Sequence, residues 1–148
     1  SKWLETAWRS YHDNLNFLLN KAYEQFDNYI LLDFHSMPSS IKPENQESDI
    51  VLGDCNGKTV KPNIIDFIEN YFKKNGLKVN RNNPYSGGYI TQNYGNPIKN
   101  CHSLQIEINR SLYLNEKTRN KNLNFYNCQK LLTNLINTFD ENKHKLLM

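Results

Sequence analysis

The 148-residue chain predicts an α/β domain in which helices flank a layered, mixed β-sheet. Two observations predict this class. Long segments with apolar residues at steps of three and four, which are typical of helices, are interspersed with short apolar or alternating segments typical of strands. Their order is helix, strand, strand, helix, strand, strand, helix, with no internal repeat. A chain of this length is expected to form a single domain, residues 1–148.

The first helix is predicted over residues 3–26. Its apolar positions form one stripe, made of Leu4, Trp8, Tyr11, Leu15, Leu18, Ala22 and Phe26. A strand is predicted over residues 28–34, and because residues 29–32 are apolar on both faces, we expect both faces to be buried. Pro38 then ends regular structure. A second, short strand is predicted over residues 49–54.

The next helix lies between two marker residues. Pro62 suits the first turn of a helix, and Gly76 suits its C-terminal cap. A short strand over residues 77–80 and a turn-rich loop over residues 82–88 follow. The final helix is predicted over residues 123–145, with the inward positions Leu131, Leu135, Ile136 and Phe139.

Residues 104–108 alternate apolar and polar side chains, which predicts a strand with Gln105 and Glu107 on one face. A carboxylate inside such an apolar strand is uncommon unless it is paired or functional. If this face lines a cleft, burial would raise the pKa of Glu107 and suit it to act as a general base. The alternative is a polar residue that faces solvent.

His35 follows Asp33 by two residues at the C-terminal end of the predicted buried strand. Functional groups of α/β sheets gather at such ends, where an imidazole can bind a metal or move protons. A structural, hydrogen-bonded histidine is the alternative. We expect His12 and His144 to be solvated and His102 to lie in a loop.

Two further features admit both a binding and a structural interpretation. Arg110 could grip a substrate carboxylate as a bidentate fork, or it could form a surface ion pair. The pair Gly87-Gly88 supplies backbone freedom, which most often serves a turn and less often cradles a ligand.

Composition excludes several classes of protein. Lysine and arginine number 18 against 15 acidic residues, and the net charge of +3 is spread along the chain, unlike the basic stripe of a dedicated nucleic-acid-binding protein. No apolar run approaches the roughly 18 residues that cross a bilayer. Cys55, Cys101 and Cys128 are widely spaced, which fits neither a disulfide framework nor a Cys-x-x-Cys metal site, so we expect a cytoplasmic protein.

Four stretches of the sequence form an ordered set of motifs. They are Leu32-Asp33-Phe34-His35-Ser36-Met37-Pro38; Asp49-Ile50-Val51-Leu52-Gly53-Asp54 with Gly57; Asn82-Asn83-Pro84-Tyr85-Ser86-Gly87-Gly88-Tyr89-Ile90-Thr91 with Tyr94-Gly95-x-Pro97; and His102-Ser103-Leu104-Gln105-Ile106-Glu107-Ile108-Asn109-Arg110-Ser111-Leu112-Tyr113. In this order they resemble the N-formylglutamate amidohydrolase family, and the resemblance covers roughly residues 7–117.

The resemblance implies a fold similar to the zinc-carboxypeptidase-like (phosphorylase/hydrolase-like) fold, truncated at the N-terminus, of which this chain is the C-terminal portion. It implies metal-dependent hydrolysis of the amide of N-formyl-glutamate or a related N-acyl amino acid. His35 then matches a zinc ligand, and Glu107 matches the general base that activates water. The implied substrate-binding residues are Gly87, Gly88, Tyr89, Gln92, Asn109 and Arg110.

The sequence departs from the family pattern in two ways. Further metal ligands are expected in an upstream segment with a His-Ser-Gly-like motif, and nothing in this sequence replaces them, so we expect an incomplete zinc-ligand set. Gln92 and Asn93 stand where the family usually has Arg-His, and Ser86 stands at a usual Lys position. Two cations are therefore missing around a pocket for a dianionic substrate.

Three functions remain open. The first is a hydrolase whose missing ligands come from another polypeptide or from residues outside this sequence. The second is a catalytically inactive remnant, and the third is an interaction module that uses an open sheet edge. The expected partners are a small N-acyl amino acid for an active enzyme, and a homodimer mate or an N-terminal partner chain, with neither nucleic acid nor membrane.

Overall fold

The computed structural model describes residues 2–40 and 48–147. Short 3-10 turns lie at Pro97–Lys99 and Arg110–Leu112. The helices and strands, in chain order, are α1 (Lys2–Phe26), β1 (Tyr29–Met37), β2 (Ile50–Gly53), α2 (Pro62–Lys74), β3 (Val79–Arg81), α3 (Tyr89–Tyr94), β4 (Cys101–Asn109), β5 (Leu114–Asn115), β6 (Asn120–Lys121) and α4 (Phe125–Leu147).

Strands β1 to β4 form one sheet in the order β1-β4-β2-β3. β4 pairs in parallel with β1 and antiparallel with β2, while β2 pairs in parallel with β3. The sheet is therefore mixed and flanked by helices, as the sequence predicts. Because β4 has a strand on each side and helices over the sheet, every residue of this strand after Cys101 is buried.

One face of the sheet, here called the apolar face, forms the hydrophobic core. Leu104, Ile106 and Ile108 of β4 lie on it, and Leu52 and Ile50 of β2 stand beside Ile106 and Ile108. Burying this much apolar surface is the main favourable contribution to folding. Helices α2 and α4 cover the face with Ile64, Ile65, Ile68, Phe72, Leu135 and Phe139.

The opposite face, here called the polar face, takes the alternate residues of the same strands, because side chains of a pleated strand point to the two faces in turn. Helix α3 packs against β4, and the backbone just before α3 binds Gln105, so α3 lies over this face. The polar residues of β1 and β4 on this face include Asp33, His35, Ser103, Gln105, Glu107 and Asn109.

The prediction that β1 is buried on both faces is wrong. The strand lies at the edge of the sheet, where β4 is its one neighbour among the described strands. Its residues are half-buried or exposed apart from Met37. β1 also continues to Met37, so His35 lies inside the strand rather than after its end. An edge strand has one side without a neighbour, which accounts for the exposure.

The predicted ends of α2 are confirmed, since Pro62 begins the helix and Gly76 follows it with a φ of +81°. In α4, Leu135 and Phe139 are buried as predicted, but Ile136 is 43% exposed because each residue turns about 100° around a helix. Neither α3 nor the β5–β6 hairpin is predicted, because elements of six and two residues are too short to show a period.

Helix α1 forms over the predicted residues, but its apolar stripe is not its buried side. Trp8, Leu18 and Phe26 are each more than half exposed. The buried residue of α1 is His12, contrary to the expectation that it is solvated, and its Nδ1 lies 2.6 Å from the Tyr94 hydroxyl of α3. Helix α1 therefore meets α3 through a polar contact beside its stripe.

Three smaller expectations can be compared directly with the structure. None of the helices in the described residues is both long and apolar enough to cross a membrane. The thiols of Cys55, Cys101 and Cys128 are free. His144 is exposed, as expected.

Candidate active site

Parallel pairing of β1 with β4 brings together the predicted zinc ligand, His35, and the predicted general base, Glu107. In this register His35 is the Cα partner of Glu107, and Asp33 is the partner of Gln105. Partners on neighbouring strands point to the same face of a sheet, so all four side chains lie on the polar face. The structure thus places side by side two residues that the sequence singles out in separate segments.

Glu107 is buried, with 7% of its surface exposed, so the alternative of a solvent-facing residue is wrong. Burial raises the pKa of the Glu107 carboxyl above its ordinary value, while the nearby His35 and a hydrogen bond from Gln105 act in the opposite direction. A carboxyl group whose pKa is raised by burial is suited to proton transfer near neutral pH.

The amide of Gln105 is held in one orientation by its two partners. Its Oε1 accepts the backbone N–H of Gly88 at 2.7 Å, which leaves Nε2 to donate to Oε1 of Glu107 at 2.9 Å. A Cβ on Gly88 would lie 3.3 Å from Gln105 Oε1, and one on Gly87, whose φ is +120°, would lie 2.9 Å from the Cys55 sulfur. The two glycines therefore permit the close approach that orients Gln105 and, through it, Glu107.

His35 has a carboxylate beside it in its own strand. Its Nε2 lies 2.9 Å from Oδ2 of Asp33, and the His35 side chain is 44% exposed against 16% for Asp33. Asp33 belongs to the first sequence motif and has no predicted role, although a spacing of two residues in a strand places its side chain on the same face as that of His35. In residues 2–40 and 48–147, no group of three or more His, Cys, Asp or Glu side chains could hold a metal ion.

Asn109 and Arg110 have different surroundings at the end of β4. The Asn109 Nδ2 donates to the Ser48 carbonyl at 3.0 Å, and its Oδ1 accepts the N–H and the hydroxyl of Ser111 at 3.0 and 2.8 Å. The Oδ1 end of this amide thus caps the turn after β4, whereas the Nδ2 end ties β4 to the segment before β2. The positive charge of the Arg110 guanidinium lowers the pKa of the Glu107 carboxyl, although it is the weakest of the influences on that group. Arg110 therefore affects the site electrostatically.

The remaining predicted binding residues, Tyr89 and Gln92, lie on α3. The ring of Tyr89 stands 5.6 Å from that of Trp8 and 5.1 Å from that of His12, so it connects α3 with α1. The Gln92 side chain lines a polar cavity together with Ser86. Gln92 and Ser86, the positions at which the resemblance implies Arg and Lys, therefore line the same cavity.

His102 lies on the apolar face rather than in a loop, and the loop expectation is wrong. It is fully buried in β4, and neither ring nitrogen has a hydrogen-bond partner among the described residues. Burial, with a smaller contribution from the Lys61 charge, lowers the pKa of His102 to about 4. This histidine is therefore neutral near pH 7 and is separated from the polar face by the sheet.

Comparisons with known proteins identify the family to which the chain belongs. A family profile described as N-formylglutamate amidohydrolase matches residues 1–114. An N-formylglutamate deformylase of Pseudomonas putida is 33% identical over 118 residues, which cover 78% of this chain and 44% of the relative. The enzyme of the same name from Pseudomonas aeruginosa is 26% identical over 119 residues, covering 78% of this chain and 45% of the relative.

The crystal structure of N-formylglutamate amidohydrolase from Ralstonia eutropha JMP134 superposes with a TM-score of 0.82 at 38% identity, covering 86% of this chain and 48% of that one. This chain thus spans about half the length of the relatives it matches. The extent of the profile match and the likeness of the folds establish the family. The chain belongs to the N-formylglutamate amidohydrolase family.

Proposed function

We propose that this chain carries the proton-transfer residue and part of the binding surface of a site that hydrolyses the amide of N-formylglutamate or a related N-acyl amino acid. The observation that supports this most is the buried Glu107, whose pKa is raised by burial, directly opposite His35 in the sheet register. We infer the substrate from the names of the relatives, which are an N-formylglutamate deformylase and an N-formylglutamate amidohydrolase. We further propose that the complete fold is zinc-carboxypeptidase-like.

In the proposed reaction, Glu107 takes a proton from a water molecule whose oxygen attacks the formyl carbon. The C–N bond then breaks, formate leaves, and the proton passes from Glu107 to the departing nitrogen, which becomes the amine of glutamate. Gln105 contributes by orienting the Glu107 carboxylate through the hydrogen bond from its Nε2. Gly88 contributes by holding Gln105 with its N–H.

The described residues do not fit a complete zinc site. A catalytic zinc ion normally takes three protein ligands and an open position, whereas no group of three or more His, Cys, Asp or Glu side chains in the described part of the chain could hold a metal ion. We therefore propose that His35 is a single zinc ligand and that the chain by itself binds zinc weakly. No step of the reaction above is assigned to the metal.

Formate release from N-formylglutamate, with and without added zinc, tests this function. We expect slow release by the wild-type chain and none above background for Glu107→Gln and His35→Ala. Equal release by Glu107→Gln would contradict the role of Glu107. No release by the wild type under any condition would favour the inactive remnant, and robust turnover that His35→Ala abolishes would contradict the weak zinc site.

The exposed surface of α1 favours a second role, association with another copy of this chain. Its stripe of apolar residues is uncharged along its whole length, so two copies can pack stripe against stripe without repulsion between like charges. The neighbouring β1 is an edge strand of nine residues, which can pair antiparallel with its own copy. We propose a homodimer formed by these two surfaces.

Light scattering at roughly tens of micromolar protein tests the homodimer. The wild type should be a dimer, and Leu18→Glu should shift it to monomer because the substitution places a charge in the apolar stripe. Ile98→Glu is the matched control, since Ile98 is 96% exposed outside the stripe. A wild-type monomer at this concentration would contradict the proposal.

A further inference from the structure

A polar cavity of about 410 Å³ lies where the segment after β2 meets the loop before α3. It is distinct from the His35–Glu107 pair, since neither residue lines it. The lining residues that matter for its chemistry are Asn56, Lys58, Thr59, Ser86, Gln92 and Gly95.

Backbone hydrogen bonds hold the cavity walls together and join them to the sheet. The Cys55 N–H donates to the Ser86 carbonyl at 2.6 Å, which links the two segments that form the walls. The Ser103 N–H of β4 donates to the Thr59 carbonyl at 2.8 Å. The cavity is therefore part of the folded framework that carries Glu107, and its position relative to that residue is defined by β4.

A series of hydrogen bonds links the cavity to the proposed base. Gln92, which lines the cavity, donates through its Nε2 to the Gly87 carbonyl at 3.3 Å. The next residue, Gly88, donates its N–H to Gln105, which in turn donates to Glu107. A substrate with its amide at Glu107 can therefore extend its side-chain carboxylate along these residues towards the cavity.

Lys58 supplies a positive charge to the cavity. Its ammonium group forms no hydrogen bond or ion pair with the residues that the structure describes. The nearest acidic side chain in sequence, Asp54, is already engaged, because its Oδ1 accepts the Gly57 N–H at 2.9 Å and the Asn82 amide at 2.7 Å. The charge of Lys58 is thus available to an anionic group that enters the cavity.

Neutral polar groups accompany this charge. The Thr59 hydroxyl is buried and lacks a hydrogen-bond partner among the described residues. The Ser86 hydroxyl and the Gln92 amide also line the cavity, and hydroxyl and amide groups can each donate to a carboxylate oxygen. A cavity with one cation and several neutral donors suits one carboxylate group better than it suits two carboxylate groups.

We propose that this cavity binds the side-chain carboxylate of an acidic N-acyl amino acid and that Lys58 determines this specificity. The inference rests on the proposed function for the identity of the rest of the substrate. Lys58 would act by a charge-assisted hydrogen bond to one carboxylate oxygen.

Binding measurements test the cavity without requiring catalysis. N-formylglutamate and N-formylglutamine, which differ in one side-chain charge, are titrated by NMR into the wild type, Lys58→Met, Lys58→Arg and the control Lys74→Met. We expect the wild type and the Lys74→Met and Lys58→Arg variants to prefer N-formylglutamate by at least about tenfold. Lys58→Met should lose that preference, and ligand addition should shift the side-chain amide signals of Asn56 and Gln92 in the wild type.

The outcomes separate this inference from the proposed function. Charge-selective binding that depends on Lys58, without formate release, would support the cavity and count against hydrolysis. Formate release from both compounds with equal preference in the wild type and Lys58→Met would support hydrolysis and overturn the role of Lys58. Equal affinity of the wild type for the two compounds, or binding of neither, would also overturn it.

Discussion

Ile106 and Glu107 are neighbours in β4, yet they lie on faces of the sheet that differ in what they contribute. Ile106 is fully buried on the apolar face, among the aliphatic side chains that α2 and α4 place there. Glu107 is buried on the polar face, where burial disfavours its charged form. The difference teaches that the two faces have separate roles. The apolar face stabilises the fold by removing apolar surface from water, and this stability offsets the free-energy cost of burying a carboxylate on the polar face.

The apolar face also contains a buried ionisable residue, His102, which can be compared with Glu107 on the polar face. His102 is a polar residue held there in its neutral form, just as burial on the polar face favours the neutral form of Glu107. The pKa of each is shifted by burial, in opposite directions because one group is a base and the other an acid. Three substitutions test the comparison, from the largest expected effect to the smallest.

The substitution Ile106→Ala tests the apolar face. We expect it to lower the free energy of unfolding by about 2–5 kcal/mol, because it removes fully buried methyl groups and leaves a cavity. Urea denaturation measures the loss. Ile136→Ala is the matched control, since Ile136 is 43% exposed, and it should change stability by no more than about 0.5 kcal/mol. Similar losses in both variants would contradict the assignment of the core.

The substitution His102→Leu tests the buried ionisable residue of the apolar face through its pH dependence. In the folded protein the pKa of His102 is lowered to about 4 from 6.5, so the unfolded chain binds a proton more readily. The contribution of neutral His102 to the free energy of unfolding is therefore fully present above pH 6.5. It is lost as the pH falls towards 4, and the loss is at most about 3 kcal/mol.

Denaturation of the wild type and His102→Leu at several pH values measures this effect. The wild type should lose more stability than the variant between pH 6.5 and 4, and the difference isolates His102 from the carboxylates that also titrate there. Parallel pH profiles would mean that His102 is protonated equally in both states and is not held neutral by burial.

The substitution Glu107→Gln tests the polar face and has the smallest expected effect. The folded pKa of Glu107 is raised by burial, so its contribution to stability is present at low pH and is lost as the pH rises through the folded pKa. Removing the charge should raise the free energy of unfolding at pH 7 by about 1 kcal/mol. The glutamine also keeps an oxygen that can accept the hydrogen bond from Gln105.

Thermal melting at pH 5 and at pH 8 measures this gain, which should be larger at pH 8. Glu141→Gln, an exposed carboxylate on α4, is the control and should leave the melting temperature nearly unchanged. A destabilised Glu107→Gln at both pH values would show that the charge of Glu107 is stabilising and that the two faces do not differ in the way described.

Much of the fold could be predicted from local patterns. The bounds of α1 and the shared face of Gln105 and Glu107 follow from periods of 3.6 and 2 that are visible within a few residues. The ends of α2 follow from Pro62 and Gly76. The strand β4 is longer than the alternating residues 104–108 predict, since it spans Cys101–Asn109. The Asp-x-His spacing likewise indicates that Asp33 and His35 share a face. The exposure of β1 and of Ile136 could not be predicted in this way, because exposure depends on which elements lie alongside.

By itself, the sequence determined the class of fold, the family and the identity of the two residues on which the proposed chemistry rests. The tertiary structure alone decided that His35 lies opposite Glu107, that His12 rather than the stripe of α1 is buried, and that Lys58 shares a cavity with Gln92. The physical reason is that a local period shows which side chains share a face. Which faces meet depends on strand register and on the packing of elements that are distant in sequence.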